Sequence, residues 1–212
     1  MKLDIISDPI CPWCYIGKTW LFRALEAHPD HPFEIEWHPF FLNLNMPAQG
    51  MDRLEYLETK FGGKENAFAV YQPIAQAASE AGLDIEFDKI TRTPNTMDAH
   101  RLIHWAGIEG VQTPVASSMF KAYFEQGRDI SDHDTLCDIA DSCDMDAAVV
   151  RRLLTTEADK DVILEKDDGF RGMGVKSVPT FIVGGRHAVP GAQRVDLWNK
   201  VILDIQSAHE PN

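Results

Sequence analysis

The chain opens on alternating polar and apolar positions, Lys2-Leu3-Asp4-Ile5-Ile6-Ser7, which predict a short strand that Asp8-Pro9-Ile10 breaks. From Pro12 the rhythm changes. Trp13, Ile16, Trp20, Leu21 and Leu25 recur at helical spacing until His28-Pro29. Alternation returns over Phe33 to His38, with Pro39 next, so the first forty residues read strand, helix, strand. A short chain of that order implies a parallel strand pair joined by its crossover helix.

The middle of the chain carries a helical period throughout. Helices are predicted over 52–61, 65–81, 95–106, 114–126, 133–142 and 146–155, with Gly62-Gly63, Gly82, Gly107 and Gly110 as breaks between several of them. Pro73 is expected to kink or interrupt the second. Residues 83–87 are too few and too mixed to assign. A further helix is predicted over 158–170, then a strand over 178–183, a Gly184-Gly185 turn, a return strand over 186–189 and a last helix over 195–205. Without its helical middle, the order is β-α-β, helix, β-β-α. That is the order of a thioredoxin-like α/β fold with a large all-helical insertion. The boundaries expected are 1–45 for the first part of the thioredoxin-like domain, 46–156 for the insertion and 157–212 for the second part.

Composition narrows the function. With 20 Lys+Arg against 33 Asp+Glu the formal net charge is −13, a surface that repels phosphate backbones and anionic membranes. No nucleic acid and no membrane are expected as partners. No run approaches the ~20 apolar residues that span a bilayer. The first residues, with Asp4 among them, lack the apolar core of a secretory leader, so a cytoplasmic location is expected. In such a reducing compartment a Cys pair is more often catalytic or metal-binding than a structural staple.

That pair is Cys11-Pro12-Trp13-Cys14, between the first strand and the first helix. Pro12 suits the first helical position, which places Cys11 at the N-cap, beside unpaired backbone N–H groups and the positive end of the helix dipole. Both favour the thiolate, the reactive form of cysteine. Cys14 lies one turn on, on the same face, so a disulfide can close between them; it is expected to be the more buried of the two. Half of a zinc site is the competing reading, but Cys137 and Cys143 are six apart and match no common zinc spacing. No metal is expected, and Cys137 and Cys143 read as small hydrophobes in helices of the insertion. Val178-Pro179-Thr180 opens the later strand, a place where the sheet ladder permits proline.

Taken together, Ser7-Asp8-Pro9-Ile10-Cys11-Pro12-Trp13-Cys14-Tyr15-Ile16-Gly17, Pro94-Asn95-Thr96 with Ala99-His100-Arg101-Leu102, Val178-Pro179-Thr180-Phe181 and Gly191-Ala192-Gln193 resemble the FrnE-like branch of the DsbA family of disulfide oxidoreductases. The resemblance implies dithiol–disulfide exchange, with Cys11 as nucleophile and Cys14 as resolving thiol. It implies a cis-proline at Pro179 whose neighbour Val178 pairs with an extended substrate, with Pro12 and Trp13 beside it. Protein or peptide thiols and disulfides are the partners it implies, with glutathione as a further redox partner. No bound cofactor is expected beyond the redox-active Cys11–Cys14 disulfide. Asn95 is a fair N-cap for its helix, and the resemblance adds a substrate-binding role at the cleft. Pro-Trp between the cysteines, where DsbA itself has Pro-His, removes an imidazole that would stabilise the thiolate.

Two alternatives stand beside this reading. Kappa-class glutathione transferases and 2-hydroxychromene-2-carboxylate isomerases share the superfamily, so a glutathione-dependent transferase or isomerase is the second function considered. A chaperone that uses the cleft without its thiols is the third. His100 and His104 have the i, i+4 spacing of a helical zinc site, yet Arg101 stands where a metalloprotease places its glutamate. Trp20, Phe22, Trp37, Phe40 and Phe41 read as core.

Overall fold

The computed structural model describes residues 1–209. β1 (Lys2–Ser7), α1 (Pro12–Ala27) and β2 (Glu34–Pro39) form the expected opening unit. β3 (Met51–Asp52), α2 (Arg53–Phe61), α3 (Lys64–Glu80), a 3-10 turn (Phe87–Lys89) and β4 (Arg92–Thr93) follow. Next come α4 (Met97–Ile108), α5 (Gln112–Phe124), α6 (His133–Asp141), α7 (Ala147–Leu154) and α8 (Lys160–Gly172). The chain returns through β5 (Thr180–Val183) and β6 (His187–Pro190) to α9 (Val195–His209). The main sheet runs β2-β1-β5-β6, with β1 parallel to β2 and antiparallel to β5. This is a thioredoxin-like α/β fold with a helical insertion, which is not the all-helical one expected because it also carries the two-stranded β3–β4 ribbon.

β1 is central, and Leu3, Ile5 and Ile6 are 1 % exposed or less, so both faces of the strand are covered. Ile5 registers with Phe181 and with Trp37, which puts the three on one face. There Trp198 of α9 meets Phe181 edge-on at 4.8 Å between ring centroids. Asp4 and His38 share the opposite face, where Phe170 of α8 lies 4.7 Å from the His38 ring. The free edge of β2 is met by a side chain: the Gln112 carboxamide accepts from the Trp37 N–H at 2.8 Å and donates to the Trp37 carbonyl at 3.0 Å.

The insertion meets the sheet directly at β2 and also packs on α1. Tyr15, next to Cys14, stacks on Phe120 and Phe124 of α5 at 5.2 and 5.8 Å and donates its hydroxyl to Glu125 at 2.5 Å. Within the insertion Arg101 is wholly buried. Its guanidinium donates to Asp98 at 2.7 Å and to the carbonyls of Ala158 (2.7 Å), Leu153 (2.8 Å) and Thr156 (2.9 Å), while it lies 4.8 Å over the Trp105 ring. One side chain thus joins α4 to the α7–α8 connection.

Three expectations need correction, and one element is new. α3 runs unbroken through Pro73, because Pro73 and Ala69, the residue whose carbonyl it leaves without a donor, both face solvent. Cys143 lies in the turn after α6, not in a helix, although it is buried like Cys137. The N-cap of α4 is Thr96, not Asn95. The two-residue ribbon of β3 and β4 was not foreseen; it needs Gly50 at φ +69, where a Cβ would stand 2.6 Å from the Thr93 carbonyl oxygen. No helix among the described residues is long and apolar enough to cross a membrane.

Candidate active site

Cys11 occupies the N-cap of α1 in extended geometry (φ −87, ψ 113) with Pro12 at the first helical position. The loop ahead of it is drawn tight by Asp8. The Asp8 carbonyl accepts from the Cys11 N–H at 2.9 Å, and its carboxylate accepts from the N–H groups of Ile10 at 3.1 Å and Leu42 at 2.8 Å. The same side chain therefore positions the nucleophile's loop and anchors the segment that leaves β2. The Val178–Pro179 peptide is cis, and the Cys11 sulfur lies 3.6 Å from the Val178 carbonyl oxygen. Gly17, one turn beyond Cys14, lets α1 come this close: a Cβ there would stand 3.0 Å from Pro179 Cγ. Trp13 is half-buried between the two apolar clusters of the molecule.

Both sulfurs are shielded. Cys11 is 4 % exposed and Cys14 1 %, so the expected contrast between an open nucleophile and a buried partner is small. The Val178 carbonyl covers the Cys11 side. Burial pushes the Cys14 thiol well up, and hydrogen bonding and charge from Cys11 add to the rise. The Ser7 hydroxyl and the Asp8 amide act the other way.

Asp8 itself is fully buried, and that burial lifts its carboxyl from the ordinary 3.8 to about 7, against the pull of its two backbone donors. A raised carboxyl means the folded chain holds a proton that the unfolded chain has lost. Its contribution favours folding at low pH and disappears as pH climbs through 7. Between pH 5 and 8 this group costs about 3 kcal/mol of stability. Denaturant titrations at those two pH values are expected to show that loss in the wild type and not in Asp8→Asn. An equal pH dependence in both would mean that Asp8 ionises normally.

Asn95 stands apart from the cysteine pair in its bonding. Its carboxamide accepts from the Met97 N–H at 2.9 Å and donates to the Met46 carbonyl at 2.7 Å, which fastens the loop after β2 to the start of α4. His100 and His104 form no joint site: His100 is buried, and His104 is half-exposed near Lys166. Among the described residues, the His/Cys/Asp/Glu group compact enough for a metal is Asp4, Glu36 and His38. The Lys2 ammonium already lies on both carboxylates, at 2.9 and 2.8 Å. Sequence reasoning missed Asp8 and Ser7 as members of the site. An Asp-Pro step three residues before Cys11 was a usable signal for the tight turn.

Fold and site together define a thioredoxin-like protein. Residues 2–202 match the profile of the DSBA-like thioredoxin domain, and the chain belongs to that family. A curated Bacillus subtilis relative, the uncharacterized protein YwbO, is 27 % identical over 97 % of this chain and 98 % of its own. Among solved structures, a probable DsbA oxidoreductase from Streptomyces coelicolor superposes with a TM-score of 0.86 at 27 % identity, covering 100 % of this chain and 92 % of that one. A 2-hydroxychromene-2-carboxylate isomerase has the same fold, with a TM-score of 0.75 at 15 % identity over the full length of both chains.

Proposed function

We propose that the protein is a thiol–disulfide oxidoreductase in which Cys11 is the nucleophile and Cys14 the resolving thiol. The observation that carries the reading is the placement of the Cys11 sulfur at a helix N-terminus and against the backbone of an X–cis-Pro dipeptide. The Val178 peptide offers hydrogen-bonding groups to an extended chain beside the sulfur.

In the reducing direction, the Cys11 thiolate attacks one sulfur of a substrate disulfide and expels the other as a thiolate. The Cys14 thiolate then attacks the Cys11 sulfur, closes the Cys11–Cys14 disulfide and releases the second substrate thiolate. Two electrons pass from protein to substrate, and the two protons of the dithiol end on the released thiols. The oxidising direction is the reverse. Protein and peptide disulfides are the substrates proposed, with glutathione as an exchange partner and no bound cofactor.

Cys14→Ser is expected to stop the reaction halfway. Incubated with oxidised glutathione or a disulfide-linked peptide, this variant should accumulate a mixed disulfide on Cys11, read as an added mass that a reductant removes. Absence of any adduct on Cys11 would sink the proposal. A glutathione-dependent isomerase, by contrast, has no use for Cys14 and would keep its activity in the same variant.

A further inference from the structure

Resolution by Cys14 requires its thiolate, and the protein makes that thiolate expensive by burying it. At the end of β1 lies a small cavity of about 10 Å³, walled by Trp37, Ile103 and Phe120 and bordered by Ser7, His38 and His100. All of these residues are buried. Ser7 Oγ, His38 Nδ1 and His100 Nε2 are each buried without a well-aligned hydrogen-bond partner among the described residues. Of the three, His38 Nδ1 has Glu36 at 3.7 Å as a distant companion, and its Nε2 meets Asp4 at 2.6 Å. Ser7 and His100 have no such relief. The Ser7 hydroxyl favours the charged form of the Cys14 sulfur.

Such a space accommodates about one water molecule, and waters in that setting ordinarily satisfy two to four polar groups. The polarity of the neighbours settles how it would sit. His100 bonds the Phe40 carbonyl through its ring, so Nδ1 carries the proton and Nε2 presents a lone pair. Burial holds this imidazole down to about 4, so it stays neutral at physiological pH. A water that gives one hydrogen to His100 Nε2 gives the other to Ser7 Oγ, and the Ser7 O–H is left to point at sulfur.

We infer that Ser7, oriented by one internal water held on His100, is the hydrogen-bond donor that stabilises the Cys14 thiolate in the resolving step. The inference rests on the oxidoreductase reading and assigns that site a positioning residue and a buried water. Ser7 and His100 act through Cys14 and touch no substrate.

The test uses the reduced full-length protein and dithiobis(nitrobenzoate), whose coloured thiolate is released twice. The first release accompanies attack by Cys11 and leaves an aryl mixed disulfide on it. The second follows when the Cys14 thiolate attacks Cys11 and forms the internal disulfide. Stopped-flow traces across pH give a profile for each step. A charged hydrogen bond of ordinary strength predicts a second release about tenfold slower at pH 7 in Ser7→Ala, its midpoint about one pH unit higher, with the first release unchanged.

Ser7→Thr, which keeps the hydroxyl, should behave as wild type. His100→Leu should shift the second step in the same direction, and adding it to Ser7→Ala should slow that step no further, since both remove one chain of bonds. Asp8 at the preceding turn, His38 and Asp4 across the cavity, and Asp167 facing His100 are retained in every variant, so their titration is common to all profiles. An unchanged second step in Ser7→Ala overturns the inference, as does full additivity in the double variant. Loss of the first release in the wild type would instead overturn the oxidoreductase reading itself.

Discussion

Cys11→Ser is expected to reduce disulfide reduction to the rate of uncatalysed exchange while leaving the fold intact. The nucleophilic step needs an anionic, polarisable sulfur, and a serine hydroxyl at this helix start remains protonated and forms no disulfide. No other cysteine substitutes for it. Cys14 is held down the helix, deeper than Cys11 and with its thiol pushed well up, while Cys137 and Cys143 sit in the insertion, buried and free. The cost to stability is expected to be modest, about 1 kcal/mol, because a hydroxyl is smaller than a thiol and overfills nothing at this buried position. Insulin reduction followed by turbidity, together with a thermal melt, measures both quantities. Substantial turnover by a correctly folded Cys11→Ser variant would remove Cys11 from the chemistry.

The largest loss of stability is expected away from the cysteines. Arg101→Met is expected to cost about 3 kcal/mol, since the wholly buried guanidinium gives up four charged hydrogen bonds. Asp98 keeps His133 at 3.0 Å, but the carbonyls of Leu153, Thr156 and Ala158 each lose a donor. Lysine should restore little. A single ammonium cannot reproduce a planar fork that serves four acceptors and stacks on Trp105. Chemical denaturation of Arg101→Met and Arg101→Lys gives the comparison, and a loss below about 1 kcal/mol would mean that these bonds merely replace equally good ones to water.

Most of the architecture was readable because it is written in local pattern. The strand–helix–strand opening, the Gly184-Gly185 hairpin and the helical period of the middle each arise from neighbours in sequence, and the structure places those elements within a few residues of expectation. What could not be read depends on distant groups. The β3–β4 ribbon joins residues about forty apart through two pairings, too few to leave a periodic trace. At the candidate site, Cys11 and Cys14 show by their spacing and strand–helix context, and Pro179 by the family resemblance. Asp8 acquires its raised carboxyl from burial, against the pull of the sequence-distant Leu42 N–H, and Ser7 and His100 line one cavity only because β1 and α4 converge on it. His100 showed only as part of the Ala99-His100-Arg101-Leu102 segment and of an i, i+4 pair with His104, neither of which points to Ser7. Asn95, given a substrate-binding role by the resemblance, spends its carboxamide in the structure on Met46 and Met97, contacts that its sequence neighbours do not announce.

The carboxamide of Gln112 has a consequence for the behaviour of this protein at high concentration. A strand at the rim of a sheet is a template on which another copy can add its own strand, the first step of ordered aggregation. By engaging both the N–H and the carbonyl of Trp37, Gln112 imitates the peptide unit of an absent neighbour and occupies the template on the β2 rim. The opposite rim, β6, is kept to four residues and ends on Pro190, which has no N–H to offer. The two rims are thus closed to recruitment by different means, one by mimicry and one by brevity.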